Sequence, residues 1–332
     1  MHKIDKTDGE ILFQLDLDAR QPNSSIAAKV RASKEVVGYR IRRMEEEGII
    51  EGYYALVDMT RLGFQNARIF IKLKNSSPAE ERETIDYFQK SSRCWWVNSI
   101  SGSFTDMGIA FWVRDLNDFH SFKEELMNRF GDRIEFYRES YYSRIHVWRR
   151  NYLSSGNEKP CYSLIPGNSL KIEYDMRDIR LLSALSQDAR LPIVKLSQKV
   201  GLSVTATSYR LASLKKKGII LGFRPKISFP KTGHYWYKVE FRLGDNRVKQ
   251  KMLSYFGSHP NIVWAYESIG GGTELEMEME VESHEKFREV ADDLRSKFSA
   301  AIRTYNYYLW SAEHKIVFFP PKEFFGLKNL KG

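Results

Sequence analysis

Cysteine is nearly absent from this chain: Cys94 and Cys161 are the two among 332 residues. Two thiols build no disulfide framework, and their spacing is not that of a metal site. Also lacking is any run near the ~20 apolar residues of a membrane span. The opening Met1-His2-Lys3-Ile4-Asp5 has no apolar signal region. A reducing, cytoplasmic setting with no membrane partner is expected. The 7 histidines (His2, His120, His146, His234, His259, His284 and His314) stand singly and form no recognisable ligand set. No phosphate-cradling glycine loop, nucleophile elbow or Cys-x-x-Cys occurs, and Gly270-Gly271-Gly272 lies between two strand patterns rather than strand and helix. No catalytic residue, metal or cofactor is expected, so the chain does not read as an enzyme.

What the chain does have is itself, twice. Shifted by 170 positions (175 − 5), the stretch Asp5 to Gly52 repeats as Asp175 to Gly222 with 17 identities in 48 gapless positions. Among them are Asp5/Asp175, Asp8/Asp178, Asp18-Ala19-Arg20/Asp188-Ala189-Arg190, Ser33/Ser203, Tyr39-Arg40/Tyr209-Arg210 and Gly48-Ile49-Ile50/Gly218-Ile219-Ile220. The protein is a tandem duplication. With 42% hydrophobic and 14% aromatic residues it can bury sizeable cores, and its net charge of +10 favours an anionic partner, nucleic acid before membrane.

In the first copy, Ile11, Leu12 and Leu15 recur at helical spacing until Asp18–Pro22 breaks the pattern. Ser24 or Ser25 is placed to cap a short second helix, and Ser33 a third, whose Val37, Ile41 and Met44 form one inward face. That leaves Lys34, Glu35, Gly38, Tyr39 and Arg42 outward. Gly48 ends the helix, and Ile49 to Tyr54 reads as a strand. Three short helices and a strand outline a winged helix-turn-helix, whose third helix enters the major groove. After it comes the order β-α-β-β-α-β, with strands 67–73, 95–100, 107–113 and 134–142 and helices 78–91 and 116–130. This is the ferredoxin-like split motif. The second copy repeats it with strands 236–243, 262–269, 275–281 and 302–309 and helices 248–256 and 284–298. Between the copies, residues 151–173 hold Ser154-Ser155-Gly156-Asn157, Pro160 and Pro166-Gly167, the composition of an exposed linker.

The motif Asp5-x-x-Asp8, Ser33, Val37, Arg40-Ile41, Met44, Gly48-Ile49-Ile50, and its second version through Gly201-Leu202-Ser203 and Tyr209-Arg210-Leu211, resembles the Lrp/AsnC (feast/famine) family of prokaryotic transcription regulators. The resemblance implies an α+β chain in which a winged helix-turn-helix precedes a ferredoxin-like (RAM-type) regulatory domain, twice over. The expected units are 1–53 and 54–150, a linker 151–173, then 174–223 and 224–320, and a tail 321–332. It implies double-stranded DNA as partner, an internal pseudo-dimer open to further homo-oligomerisation, and a small effector such as an amino acid. The DNA-contacting residues would be Ser33, Lys34, Glu35, Gly38, Tyr39, Arg40, Arg42 and Arg43, and Ser203, Val204, Thr205, Ser208, Tyr209, Arg210, Lys215, Lys216 and Lys217. Arg40 and Arg210 fit phosphate or structural contacts better than base readout. The effector turn would be Gly102 and Asp106 in one copy and Gly271 and Glu274 in the other. The first turn is one residue longer than the family's Gly-x-x-Asp, and the second carries Glu for Asp.

The copies differ in charge. From Asp5 to Gly52 there are 8 Lys/Arg against 10 Asp/Glu, a net of −2; from Asp175 to Gly222 there are 9 against 3, a net of +6. Glu45-Glu46-Glu47 closes one reading helix and Lys215-Lys216-Lys217 the other, so the second is expected to hold phosphate more strongly. Glu274, Glu276, Glu278 and Glu280 alternate with apolar residues, which reads either as a solvated row or as one opposed to basic side chains. The tryptophans read either as core and sheet packing or as a ligand cage. Two other functions stay open. One is an enzyme, because sirohaem decarboxylases resemble tandem or paired AsnC-like units; that family's His-rich second strand would fall on Trp95–Ser99 and Val263–Glu267, which hold no histidine. The other is a sensor or scaffold without DNA binding.

Overall fold

The computed structural model describes residues 4–154, 162–167 and 170–325. Cys161, residues 155–161 and 168–169 of the expected linker, and residues 326–332 of the tail lie outside the described residues.

The first copy opens with α1 (Lys6–Leu17), α2 (Asn23–Val30) and α3 (Lys34–Glu46). Asp5 starts α1 through a capping box: its carboxylate accepts from the Asp8 N–H at 2.8 Å, and Asp8 returns the bond to the Asp5 N–H at 3.2 Å. The start of α2 differs from expectation. Pro22, with φ −63°, fixes the entry with no side-chain cap, so Ser24 and Ser25 fall inside the first turn. There follow β1 (Ile50–Val57), β2 (Gln65–Leu73), α4 (Pro78–Lys90), β3 (Cys94–Ser101), β4 (Met107–Val113), α5 (Leu116–Phe130), β5 (Ile134–Trp148) and β6 (Tyr162–Pro166). The second copy runs α6 (Met176–Gln187), α7 (Ile193–Val200), α8 (Val204–Lys216), β7 (Ile220–Ile227), the single turn α9 (Phe229–Thr232), β8 (Tyr235–Leu243), α10 (Lys249–Ser258), β9 (Ile262–Gly270), β10 (Leu275–Val281), α11 (His284–Phe298) and β11 (Ile302–Ile316). Each copy is a winged helix-turn-helix followed by a ferredoxin-like βαββαβ unit.

The strand following each third helix does not fold back on its own copy. β1 pairs antiparallel with β7, Tyr54 opposite Arg224, in a two-stranded ribbon between the copies. The other strands run β2-β4-β3-β11-β8-β10-β9-β5, and β5 returns to β2, so eight strands close a ring. Closure depends on the two long strands. β5 pairs with β2 through residues 134–141, then with β9 through 140–147; β11 pairs with β8 through 302–309, then with β3 through 309–316. Both run past the expected ends at Tyr142 and Leu309 because their second halves complete the other copy's sheet. Part of the expected linker is also ordered: β6 pairs with β5, Ile145 opposite Ile165.

Apolar side chains sort into four layers. One lies under α4 and α5 and another under α10 and α11; one fills the space between the two sheets, and one joins both helix-turn-helix units to the ribbon. The layer between the sheets is not purely apolar. Glu276 is bonded by Arg68 at 2.6 Å and Lys238 at 2.8 Å, Glu278 by Lys238 at 3.0 Å, and Glu240 by Arg138 at 2.6 Å. Within the glutamate row Glu276, Glu278 and Glu280 are therefore buried and opposed to basic groups, not solvated, while Glu274 at its end is half-buried. A buried carboxylate persists only when paired in this way.

Candidate nucleic-acid interface

Ser33 caps α3, its hydroxyl accepting from the Val36 N–H at 3.2 Å, and Ser203 caps α8 through Ala206 at 3.2 Å. Val37, Ile41 and Met44 are buried beneath α3, each contributing about 1.5–3 kcal/mol by leaving water. Their burial turns Lys34, Glu35, Tyr39 and Arg42 to solvent. Gly38 is a correction: it is buried, and a Cβ there would stand 3.4 Å from Asn23 Nδ2 of α2, so it belongs to the helix crossing and not the reading face. On α8, Val204, Thr205, Ser208 and Tyr209 are exposed, Tyr209 at 76% and its counterpart Tyr39 at 60%. Thr207, aligned with Val37, is buried because its hydroxyl donates to the Ser203 carbonyl at 2.9 Å.

The arginines nearest these faces divide. Arg40 Nη1 lies 2.7 Å from Asp5 and 2.9 Å from Asp8, and Arg43 lies 2.6 Å from Asp8. Arg210 repeats this on Asp175 at 2.8 Å and Asp178 at 2.7 Å. These three are held on the capping boxes of α1 and α6, which leaves Arg42 as the exposed arginine of α3. Lys215, Lys216 and Lys217 are all exposed. Opposite them in the repeat, Glu45 accepts from the Tyr53 hydroxyl at 2.6 Å, so part of that acidic run serves the ribbon.

Both helix-turn-helix units grip the ribbon by exchanged contacts. The Ala19 N–H donates to the Phe223 carbonyl at 2.9 Å and the Ala189 N–H to the Tyr53 carbonyl at 3.0 Å. Arg20 donates to the Leu191 carbonyl at 3.0 Å, and Arg190 to Asn23 Oδ1 at 2.8 Å. One further attachment exists on one side alone. Asp16 of α1 is fully buried, 2.7 Å from Arg224 of β7 and 2.9 Å from Arg150, which also holds Glu280 of β10 at 2.9 Å. Burial alone would raise the Asp16 carboxyl; Arg224 and Arg150 overcome it and hold it down at about 2. The counterpart of Asp16 is Ser186 (16 + 170), and those of Arg224 and Arg150 are Tyr54 (224 − 170) and Phe318 (150 + 168). There Tyr54 and Phe318 stack with ring centroids 3.7 Å apart. Sequence reading missed this cluster, whose one signal was a carboxylate inside the apolar pattern of α1.

The effector-turn residues also divide. Asp106 accepts from the Leu73 N–H at 2.8 Å and from Lys72 Nζ at 2.9 Å, and Glu274 accepts from the Leu243 N–H at 2.9 Å. Both carboxylates thus close the ends of β2 and β8, the longer Glu274 side chain making the same bond from a different loop. Gly102 borders an open groove of about 730 Å³ with Phe104, Phe136, Arg138, Glu240 and Tyr307. Gly271 does not line this groove; its carbonyl accepts from Arg138 of the groove wall at 3.1 Å.

Beneath the ribbon lies a second, smaller space of about 50 Å³, walled by Tyr54, Trp95, Trp96, Trp236, Trp264 and Phe318, among others. The tryptophans therefore pack the sheets and also border a chamber. Among the described residues no three His, Cys, Asp or Glu side chains gather as a metal site, and no helix is long and apolar enough to cross a membrane.

A family model described as winged helix-turn-helix DNA-binding matches residues 4–51 and 175–220. A proline dehydrogenase transcriptional activator of Rhodobacter capsulatus is 33% identical over 141 residues, 40% of this chain and 88% of that protein. The HTH-type transcriptional regulator AldR of Mycobacterium tuberculosis is 29% identical over 131 residues, 39% of this chain and 73% of its own. Each regulator thus matches a length near one copy. A solved structure of the siroheme decarboxylase NirDL covers 96% of this chain and 94% of its own with a TM-score of 0.63 at 13% identity, a likeness of fold.

Proposed function

Because this chain belongs to the Lrp/AsnC family of transcription regulators, we propose that it is a sequence-specific double-stranded DNA-binding regulator carrying both members of a reading pair as an internal pseudo-dimer. The observation that carries this reading is the pair of exposed helix faces, on α3 and α8, tied to a single β1–β7 ribbon. The working units are readers 1–53 and 174–223 and regulatory units 54–150 and 224–320, joined by 151–173 and followed by the tail 321–332.

The faces are unlike. Lys34, Glu35, Tyr39 and Arg42 present charge and suit G or C edges; Val204, Thr205, Ser208 and Tyr209 offer apolar and hydroxyl contacts that suit thymine methyls. Selection from random duplex DNA should return two different half-sites about one helical turn, ~10 base pairs, apart. A clean palindrome would contradict the asymmetry, and no enriched sequence at all would favour a sensor without DNA binding. An amino-acid effector would lie in the groove beside Gly102, a reading supported by the opposite charges of Arg138 and Glu240 in its wall.

A second reading is favoured by one observation: the siroheme decarboxylase NirDL resembles both copies in one chain, whereas the regulators match a length near one copy. On that reading the protein modifies a tetrapyrrole. Mixing it with a sirohaem analogue and following the Soret band separates the two, since a regulator of the first kind leaves that band unmoved.

A further inference from the structure

The small chamber beneath the ribbon has an unusual wall. Nine of its sixteen lining residues are aromatic, and four are charged: Arg150, Lys226, Glu278 and Glu313. Three of the four are well supplied with partners. Arg150 is spent on Asp16 and Glu280, each at 2.9 Å. Glu278 accepts from Lys238 at 3.0 Å and from the Trp236 indole at 3.2 Å. Lys226 leans towards Glu51 at 3.0 Å. Glu313 has the poorest partner, Lys226 at 3.4 Å, although its side chain is only 19% exposed.

Once ionised, above about pH 7, Glu313 presents to the ring faces a carboxylate shared with one ammonium, that of Lys226 at 3.4 Å. Ring faces attract cations at up to about 6 Å, most strongly when water is excluded. The chain already uses the same wall in this way, for Lys238 Nζ sits 4.0 Å from the centre of the Tyr266 ring. Burial pushes the Glu313 carboxyl up to about 7, as expected of an acid short of positive charge. The half-buried Lys226, Glu313, Ile316 and Phe318 mark the side on which the chamber meets solvent.

We propose that this chamber is a binding site for the ammonium head of a small amine, held between the Glu313 carboxylate and the aromatic wall. Size sets the class. A cavity of roughly 150 Å³ takes the six carbons of benzene; at that scale 50 Å³ takes about two non-hydrogen atoms, the size of methylammonium, with any longer substituent left at the mouth. The inference is independent of DNA binding.

Four lining tryptophans, Trp95, Trp96, Trp236 and Trp264, supply the readout. Tryptophan fluorescence of the full chain is titrated with methylammonium chloride, and in parallel with sodium acetate at matched ionic strength and with methanol. A saturable change with methylammonium alone is the expected result, weakened at least about tenfold in Glu313→Gln. Ile316→Phe, which fills the space and keeps the charge, should abolish it too, and each variant is first checked for native circular dichroism. No saturable change with methylammonium, an equal response to acetate, or an unaltered response in a folded Glu313→Gln protein overturns the proposal.

Discussion

The two helix-turn-helix units share a fold, a sequence motif and the exchanged backbone bonds to the ribbon, yet at one further place their surroundings differ in chemistry. The first is tied through Asp16 to Arg224, Arg150 and Glu280, a buried chain of alternating charge. At the equivalent place the second has Ser186, Tyr54 and Phe318, a polar side chain and a stacked aromatic pair. The difference teaches where duplication freed the sequence to diverge. A two-chain dimer must use one solution at both ends, whereas a fused pair can make one end geometrically exacting and leave the other adaptable. Ion pairs in a dry interior demand charged partners; stacked rings leave no buried charge to be matched.

The largest way to break the comparison is Asp16→Ala. It strands Arg224 in the interior, leaves Arg150 with Glu280 alone, and should lower stability by about 3–5 kcal/mol in urea unfolding, whereas Ser186→Ala should cost less than about 0.5 kcal/mol. Equal losses would erase the asymmetry. Acid should act on the same link. The folded Asp16 titrates at about 2 against an ordinary 3.8, so its contribution is complete above pH ~4 and is lost as pH falls towards 2. It amounts to about 2 kcal/mol. Urea midpoints measured down that range should slope less steeply in Asp16→Asn.

A third test sharpens the contrast in charge. Replacing Lys215, Lys216 and Lys217 with Gln should weaken duplex DNA binding at least about tenfold at 0.1 M salt and flatten the dependence of log affinity on log salt by roughly 2–3 units. Replacing Arg40, Arg42 and Arg43 should do less to affinity, because Arg40 and Arg43 are occupied by Asp5 and Asp8. A larger loss from the arginine set would reverse the assignment of the second unit as anchor. The smallest effect lies in the turns: Arg31 holds a left-handed φ of 54° where the second copy has Gly201 at 70°. Arg31→Gly should therefore be neutral or stabilise by up to about 1 kcal/mol, while Gly201→Ala destabilises, both read by thermal unfolding.

Much of this was legible in the sequence, for reasons that are local. The capping acids Asp5 and Asp175, the caps Ser33 and Ser203, and the period of Val37, Ile41 and Met44 each act within one or two turns of chain. The alternation in 67–73 and 275–281 likewise reports a strand directly. What escaped depends on partners far away in sequence. Nothing within Ser143–Trp148 announces that these residues leave one sheet for another. The glutamates at 276 and 278 looked as apt for water as for burial, because their partners are distant in sequence: Arg68 reaches Glu276 from across the ring, and Lys238 faces Glu278 from the neighbouring strand β8. Gly38 was placed outward from its helical angle, which carries no knowledge that Asn23 approaches there.

The eight-stranded ring sets an order of events during synthesis. β3, complete by Ser101, pairs on one edge with β4 of its own copy but on the other only with residues 309–316 of β11, so that seam stays open while more than two hundred further residues leave the ribosome. A nascent first copy therefore carries a bare strand edge through most of translation, the condition under which chains pair with the wrong neighbour. Slow synthesis of the second copy should for that reason yield more aggregate than slow synthesis of the first.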